Sequence, residues 1–99
     1  MLSFLPKNPS DIMQELKAKF RQRRKDLGYT QKELSIRSGV SLGSLKRFES
    51  SGQISLESLL RLAVIIECLE DFEGICCKME RVYMSIDEVI GDGKKVNRR

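Results

Sequence analysis

The chain has few side chains able to carry out covalent or acid–base catalysis. Its 99 residues include no histidine and no tryptophan, which excludes every Ser-His or Cys-His nucleophile system and every histidine-ligated zinc site. The three cysteines are an odd number, and adjacent Cys76 and Cys77 do not follow the C-x2-C spacing that surrounds one tetrahedral metal ion. We therefore interpret Cys68, Cys76 and Cys77 as ordinary buried or half-buried thiols, and we expect no enzyme, no metal site and no cofactor.

Basic residues are concentrated where they could bind a polyanion. The segment 17–25 contains six basic residues and no acidic one. Residues 1–53 carry a net charge of +6, whereas residues 54–90 carry −5 and residues 91–99 carry +3. Because clustered lysine and arginine attract negative charge, this polarity predicts one face for a polyanion and another for a different partner. The alternative is that the basic residues only form an exposed, solubilising helix face.

Two charged residues fall on apolar faces of predicted helices. Arg24 follows Phe20 by four positions, and Glu49 follows Leu45 by four, so each shares a face that must pack inward. A lone buried charge is costly, and we therefore predict that Arg24 and Glu49 pair and hold the first helix against the third. The alternative is that either long side chain extends to the surface past its apolar neighbours.

The elements that position these residues are predicted to be helices nearly throughout. The predicted N-caps are Ser10, Thr30, Ser41 and Ser55, with Thr30 and Glu33 forming a capping box. The predicted ends of the first three helices are Gly28, Gly39 and Gly52. A fifth short helix is expected over about 70–77. The pattern contains no convincing strand and no internal repeat.

Apolar residues at helical spacing form the predicted core. They recur on one face of each helix. The first helix contributes Ile12, Leu16, Phe20 and Leu27, the third Leu42, Leu45 and Phe48, the fourth Leu56, Leu59, Leu60, Ala63 and Ile66, and the fifth Phe72, Ile75 and Cys76.

Length and composition fit one small all-α domain. The chain is 40% hydrophobic and 32% charged, and it has no unbroken apolar stretch of the ~18 residues needed to cross a bilayer. Pro6 ends the apolar N-terminus too early for a secretion signal, so we expect a cytoplasmic protein with no membrane partner. We predict an N-terminal arm over 1–10, a compact five-helix domain over 11–77, and a C-terminal extension over 78–99 that binds a partner or is disordered.

Spaced residues across the domain resemble the Xre family of helix-turn-helix proteins, the Cro and phage-repressor type. The matching positions are Arg24, Leu27-Gly28-Tyr29-Thr30-Gln31, Leu34, Gly39-Val40-Ser41, Leu45 and Glu49. The resemblance covers roughly residues 12–75 and implies a lambda-repressor-like fold. In that family the residues corresponding to Arg24 and Glu49 form a buried salt bridge. Gly39 then supplies the corner of the turn, and Val40 fills the core beneath it.

Two segments are similar to a subgroup, the HipB-type antitoxins that accompany HipA-type serine/threonine kinase toxins. These segments are residues 46–63 and 85–90. The similarity implies a transcriptional repressor that is also an antitoxin, with a HipA-like kinase as its protein partner. Ser51 departs from the wider family, which often has glycine there. The alternatives are a stand-alone Xre-type regulator, such as a phage or restriction-controller repressor, and a toxin-binding module with weak DNA binding.

The resemblance implies that helix three, over about 42–50, enters the major groove of double-stranded DNA, with the protein acting as a homodimer on a palindromic operator. The implied DNA-binding residues are Thr30, Gln31, Ser41, Leu42, Gly43, Ser44, Lys46 and Arg47. Arg21, Arg23 and Lys25 on helix one are candidate phosphate contacts.

The base-facing positions differ in chemistry. Arg47 can donate two hydrogen bonds to guanine, whereas Leu42 offers only apolar contact, most usefully to a thymine methyl. Gly43 allows close backbone approach, and the Ser44 hydroxyl is nearly indifferent to the base. Direct readout is therefore expected to be sparse, with DNA shape adding specificity. The alternatives are that Leu42 packs against protein and that Arg47 binds only phosphate.

Overall fold

The computed structural model describes residues 7–77, which fold into helices joined by short turns, with no strand in that range. This confirms the predicted all-α fold. The helices are α1 (Pro9–Asp26), α2 (Gln31–Ser38), α3 (Leu42–Ser51), α4 (Leu56–Ile65) and α5 (Leu69–Glu73). The predicted extension over 78–99, including the segment 85–90, lies outside the described residues.

The N-terminus of α1 differs from the prediction. Asn8, not Ser10, is the N-cap: its side-chain oxygen accepts from the backbone N–H of Asp11 at 2.8 Å, and the Asp11 carboxylate accepts from the Asn8 N–H at 3.1 Å. Pro9 takes the first helical position, where the missing N–H leaves no hydrogen bond unmade. The helix therefore starts at the proline rather than after it, and α1 begins within the predicted arm.

The other predicted caps are confirmed. Thr30 and Glu33 form a capping box, with bonds of 2.9 and 3.0 Å. The hydroxyls of Ser41 and Ser55 each accept from the backbone N–H three residues later, at 3.1 Å. Gly39 ends α2 in the left-handed conformation, with φ +79°, which turns the chain sharply into α3.

The core lies between α1, α2, α3 and α4. The rings of Phe20 and Phe48 pack edge to face, with centroids 5.5 Å apart. Val40 is buried beneath the α2–α3 turn, as predicted. The largest fully buried side chains are Phe48, Leu34, Leu45, Leu62 and Ile66.

The predicted apolar stripes of α1 and α4 are partly wrong. Leu56 is 69% exposed because it is the first residue of α4, where the helix has not yet reached the core. Leu62, absent from the predicted stripe, is fully buried. Near the two ends of α1, Ile12 and Leu27 are also exposed, so the middle of that helix carries the packing.

α5 is shorter than predicted. It ends at Glu73, and only Phe72 of its predicted core residues is half-buried, with its ring 6.2 Å from that of Phe20. Ile75 and Cys76 are exposed, because the chain leaves the helix and Cys76 takes a left-handed conformation.

The cysteines also divide differently from the prediction. Cys76 and Cys77 are exposed, contrary to the expectation of buried or half-buried thiols. Cys68 is buried, and burial raises the pKa of its thiol, with a nearby Arg23 opposing that effect. Among residues 7–77 no three His, Cys, Asp or Glu side chains are grouped to hold a metal ion.

Candidate nucleic-acid interface

α3 has one face in the core and one face in solvent. Leu45 and Phe48 are buried, whereas Gly43, Lys46 and Arg47 are exposed. This separation follows from the 3.6-residue period, since positions three apart share a face. Of the other predicted DNA-binding residues, Ser41, Ser44 and Thr30 are exposed, and Leu42 and Gln31 are half-buried.

The predicted ion pair is present and links α1 to α3. Arg24 donates from Nε to Glu49 Oε2 at 2.8 Å and from Nη2 to Glu49 Oε1 at 3.1 Å. Both side chains are shielded, 9% and 5% exposed. A third donor, Arg24 Nη1, binds the backbone carbonyl of Tyr29 at 2.8 Å, which also fixes the loop between α1 and α2. The two-pronged geometry suits a guanidinium and holds both helices in one register.

Glu49 also binds a predicted DNA-contacting residue. Gln31 Nε2 donates to Glu49 Oε1 at 2.9 Å, so the first side chain of α2 is tied to the buried pair. The N-terminus of α2, capped by Thr30, is thereby held beside α3. Sequence reasoning did not find this bond, because a half-buried glutamine does not interrupt an apolar stripe as Arg24 and Glu49 do.

A polar stripe along α1 binds the C-terminal end of α3. Gln14 Nε2 donates to the carbonyl of Ser51 at 3.2 Å, and Lys17 Nζ donates to the carbonyl of Ser50 at 2.8 Å. Farther along α1, Arg24 binds Glu49. Later positions of α1 therefore contact earlier positions of α3, as expected for two antiparallel helices. Gln14 and Lys17 satisfy carbonyls that the helix end leaves without partners, and they fix the axis of α3.

The N-terminal end of α3 is fixed by hydroxyl groups. Ser41 Oγ donates to Ser44 Oγ at 2.9 Å and accepts from the Ser44 N–H. In the preceding turn, Ser35 Oγ donates to the Val40 carbonyl at 2.6 Å, and the Val40 N–H donates to Ser38 Oγ at 3.1 Å. The N-terminal end of α3 is therefore fixed by its own cap and by the preceding turn, and its C-terminal end is fixed by side chains of α1.

Arg47 lies on the exposed face of α3 and already has a partner within the chain. Its guanidinium donates to Gln53 Oε1 in the loop before α4. Ser44, Ser55 and Ser58 line the same shallow groove. The arrangement places a guanidinium and several hydroxyls on one side of α3, where phosphate or base edges can be bound. The contribution of Gln53 was not predicted from the sequence.

The chain matches the model of a known protein family. The model of the helix-turn-helix family HTH_3, of the Xre/Cro-like type, matches residues 20–71. The chain belongs to this helix-turn-helix family. Neither the curated proteins nor the solved structures contain a significant match to the chain. The family consists of DNA-binding regulators, so the chain is a DNA-binding regulator with α2 and α3 as its helix-turn-helix.

The basic residues of α1 are not all beside the helix-turn-helix. Arg21 is, because its Nε lies 4.0 Å from Glu49 Oε1 while its side chain stays 56% exposed. Arg23 points to the opposite side, where it donates to the carbonyls of Ile66 and Glu67 at 2.9 and 3.3 Å. The structure therefore does not bring Arg23 together with the other candidate phosphate contacts. Lys25 is exposed near the end of α1.

None of the helices within residues 7–77 is long and apolar enough to span a membrane.

Proposed function

We propose that this helix-turn-helix protein is a sequence-specific transcriptional repressor that reads its operator with the exposed face of α3. The observation that supports the proposal most directly is the fixed, outward position of α3. Its inner face is buried through Leu45 and Phe48, its C-terminal half is bound by Lys17 and Arg24 of α1, and its N-terminus is capped by Ser41. A recognition helix held in this way loses little conformational freedom on binding DNA.

Base readout in this proposal depends mainly on Arg47. Its guanidinium exchanges Gln53 for the O6 and N7 atoms of a guanine, a pairing worth about 1–3 kcal/mol of discrimination. Leu42 contacts a thymine methyl, and Gly43 lets the backbone approach the bases. Ser41 and Ser44 lie alongside, with hydroxyls that already bond to each other.

Phosphate binding in this proposal involves two regions. Thr30 and Gln31 lie at the N-terminus of α2, where free amides and the helix dipole attract anions. Lys46, Arg21 and Lys25 supply exposed positive charge on α3 and α1. These contacts position the protein, whereas Arg47 and Leu42 select the sequence.

The protein acts as a homodimer on a palindromic operator in this proposal. One helix-turn-helix of this size covers few base pairs, and two copies related by a two-fold axis place their α3 helices in major grooves one helical turn apart. Sedimentation velocity with and without operator DNA tests this point. A monomer at micromolar concentration that also binds DNA as a monomer would contradict it.

We further propose that the regulator is the antitoxin of a HipA-like serine/threonine kinase toxin. The similarity of residues 46–63 and 85–90 to HipB-type antitoxins supports this assignment. The net charge of −5 over residues 54–90 contrasts with the +6 of residues 1–53 and favours a second, acidic surface for a protein partner.

One pair of measurements tests both roles. A gel shift on the promoter of its own gene measures DNA binding, and capture of the kinase encoded by a neighbouring gene measures toxin binding. Arg47→Ala is expected to abolish the promoter shift and to leave kinase binding intact. Arg61→Ala is the matched control, because Arg61 is an exposed arginine on α4 that pairs with Glu57.

The other outcomes separate the alternatives. A promoter shift with no kinase partner would identify a stand-alone Xre-type regulator. Kinase binding with no promoter shift by the unmodified chain would identify a toxin-binding module and would contradict the repressor proposal.

A further inference from the structure

An apolar groove runs between α1 and α5, and no residue of α2 or α3 lines it. Buried Phe20 and half-buried Leu16 and Phe72 form its apolar lining, and Ile75 lies at its edge. Lys19 also lines it. We call this the α1–α5 groove. It is separate from the candidate nucleic-acid interface.

Few contacts hold α5 in place among the residues that the structure describes. The helix has five residues, no side-chain hydrogen bond at its N-cap and no buried residue. Its aromatic contact is Phe72 against Phe20, while Ile75 just beyond it is 60% exposed. Helices this short are unstable alone, so their stability comes from packing. Additional apolar cover on the groove would supply that packing.

The chain itself continues directly from this groove. The described residues end at Cys77, two positions after Ile75. Farther along, Ile86, Val89 and Ile90 are spaced i, i+3 and i+4, which places three branched apolar side chains on one face of a helical turn. Nine peptide steps join Cys77 to Ile86, and these reach about 30 Å when extended. The groove is thus within easy reach.

Charge favours this segment over the other end of the chain. Residues 85–90 include Asp87 and Glu88, whereas residues 1–7 contain no acidic residue. Lys19, in the groove lining, forms no ion pair with another residue in the range 7–77. The charged side chains that line the groove are Lys19, Arg23 and Asp71, a net charge of +1. An acidic, apolar segment therefore complements both the apolar lining and the net positive charge.

We propose that residues 85–90 dock in the α1–α5 groove of the same chain, with Ile86, Val89 and Ile90 against Phe72 and Ile75. The docked segment stabilises α5 and covers Cys68, which also lines the groove. This inference does not depend on DNA binding, because no residue of α2 or α3 takes part.

Disulfide trapping in the full chain tests the docking. The variant carries Ile75→Cys and Val89→Cys, with Cys76→Ser and Cys77→Ser to remove the exposed native thiols. The expected product of mild oxidation is a disulfide within one chain, from position 89 to position 75 or to Cys68. The matched control replaces Val89→Cys by Val96→Cys, which lies outside the segment and should oxidise more slowly. Disulfides mainly between chains, or equal rates in test and control, would overturn the proposal.

A second measurement uses the native Cys68 as a probe. In the chain with Cys76→Ser and Cys77→Ser, Val89→Asp removes one apolar anchor, and Val96→Asp is its control. Because burying a valine side chain is worth about one factor of ten in an equilibrium constant, Val89→Asp should raise the rate of maleimide labelling of Cys68 about tenfold. Equal labelling rates in the two variants would overturn the docking. The gel shift on the promoter should be unchanged in both variants. A failure of the docking proposal can therefore be told apart from a failure of the proposed function.

Discussion

Glu49 joins the stability of the fold to the position of the candidate site. Its carboxylate accepts two hydrogen bonds from Arg24 and one from Gln31. Removing the carboxylate leaves a buried guanidinium without its charged partner and frees Gln31 at the start of α2. The cost is therefore both a loss of folding free energy and a less ordered α2 N-terminus.

The variant Glu49→Ala is expected to lower the free energy of unfolding by about 3–5 kcal/mol, the usual cost of breaking a buried ion pair. Glu57→Ala is the matched control, because its partner Arg61 is half exposed and such surface pairs contribute about 0.5 kcal/mol or less. Urea denaturation measures both. Similar losses for the two variants would show that the Arg24–Glu49 pair does not hold α1 against α3.

Among single residues, the sequence predicted the Arg24–Glu49 pair but not the further hydrogen bond from Gln31 to Glu49. Arg24 and Glu49 were identifiable because each interrupts an apolar stripe, a signal that is local to one helix. The bonds from Gln31 to Glu49 and from Arg47 to Gln53 left no such signal, because exposed or half-exposed polar residues fit any helix surface.

Among the elements, α3 depends on the close approach of α1 to its C-terminal end. A Cβ at Gly52 would lie 3.2 Å from the backbone oxygen of Met13, at a position with φ +85°. Gly28 has nearly the same conformation, φ +84°, with nothing within 4 Å of an added Cβ. Comparing the same substitution at the two glycines therefore separates the cost of backbone strain from the cost of crowding between α1 and α3.

Gly28→Ala is expected to lower the free energy of unfolding by about 1–2 kcal/mol through the left-handed conformation alone. Gly52→Ala should lower it by that amount and by a further ~1–3 kcal/mol, because α1 and α3 must move apart. Thermal and urea denaturation of both variants provide the measurement. Equal losses would contradict the close packing of α1 on the end of α3.

Element boundaries were predictable where capping is local. The N-caps Thr30, Ser41 and Ser55 form bonds within three residues, so sequence alone identified them. Asn8 was missed because Pro9 was read as preceding the helix rather than opening it. The end of α5 was missed because Ile75 and Cys76 match helical spacing, although the backbone leaves the helix before them.

Across the whole molecule, charge is divided between regions. The +6 of residues 1–53 includes the exposed Lys46 and Arg21 near α3, while Arg23 faces α4. Sequence predicted this division between halves of the chain. The sequence could not show that Arg21 and Arg23 lie on different sides of α1, because each contact depends on which part of the chain lies opposite.

DNA affinity is therefore expected to fall steeply with salt, with a slope of about −0.9 in log affinity against log salt for each phosphate neutralised. Lys46→Ala should reduce the magnitude of that slope by about 1, because it removes one phosphate contact. Arg23→Ala should leave the slope unchanged, since its guanidinium binds the carbonyls of Ile66 and Glu67, just after α4. Fluorescence anisotropy at a series of salt concentrations measures all three chains. A flat dependence for the unmodified protein would contradict phosphate binding by the basic surface.

α3 is the surface that is expected to meet DNA. A backbone amide NMR titration of the full chain with a duplex from the promoter of its own gene tests this directly. The largest shift changes are expected over residues 41–47 and at Thr30 and Gln31, with small changes in α5. Changes confined to α4 and α5, with the α3 amides unmoved, would contradict it.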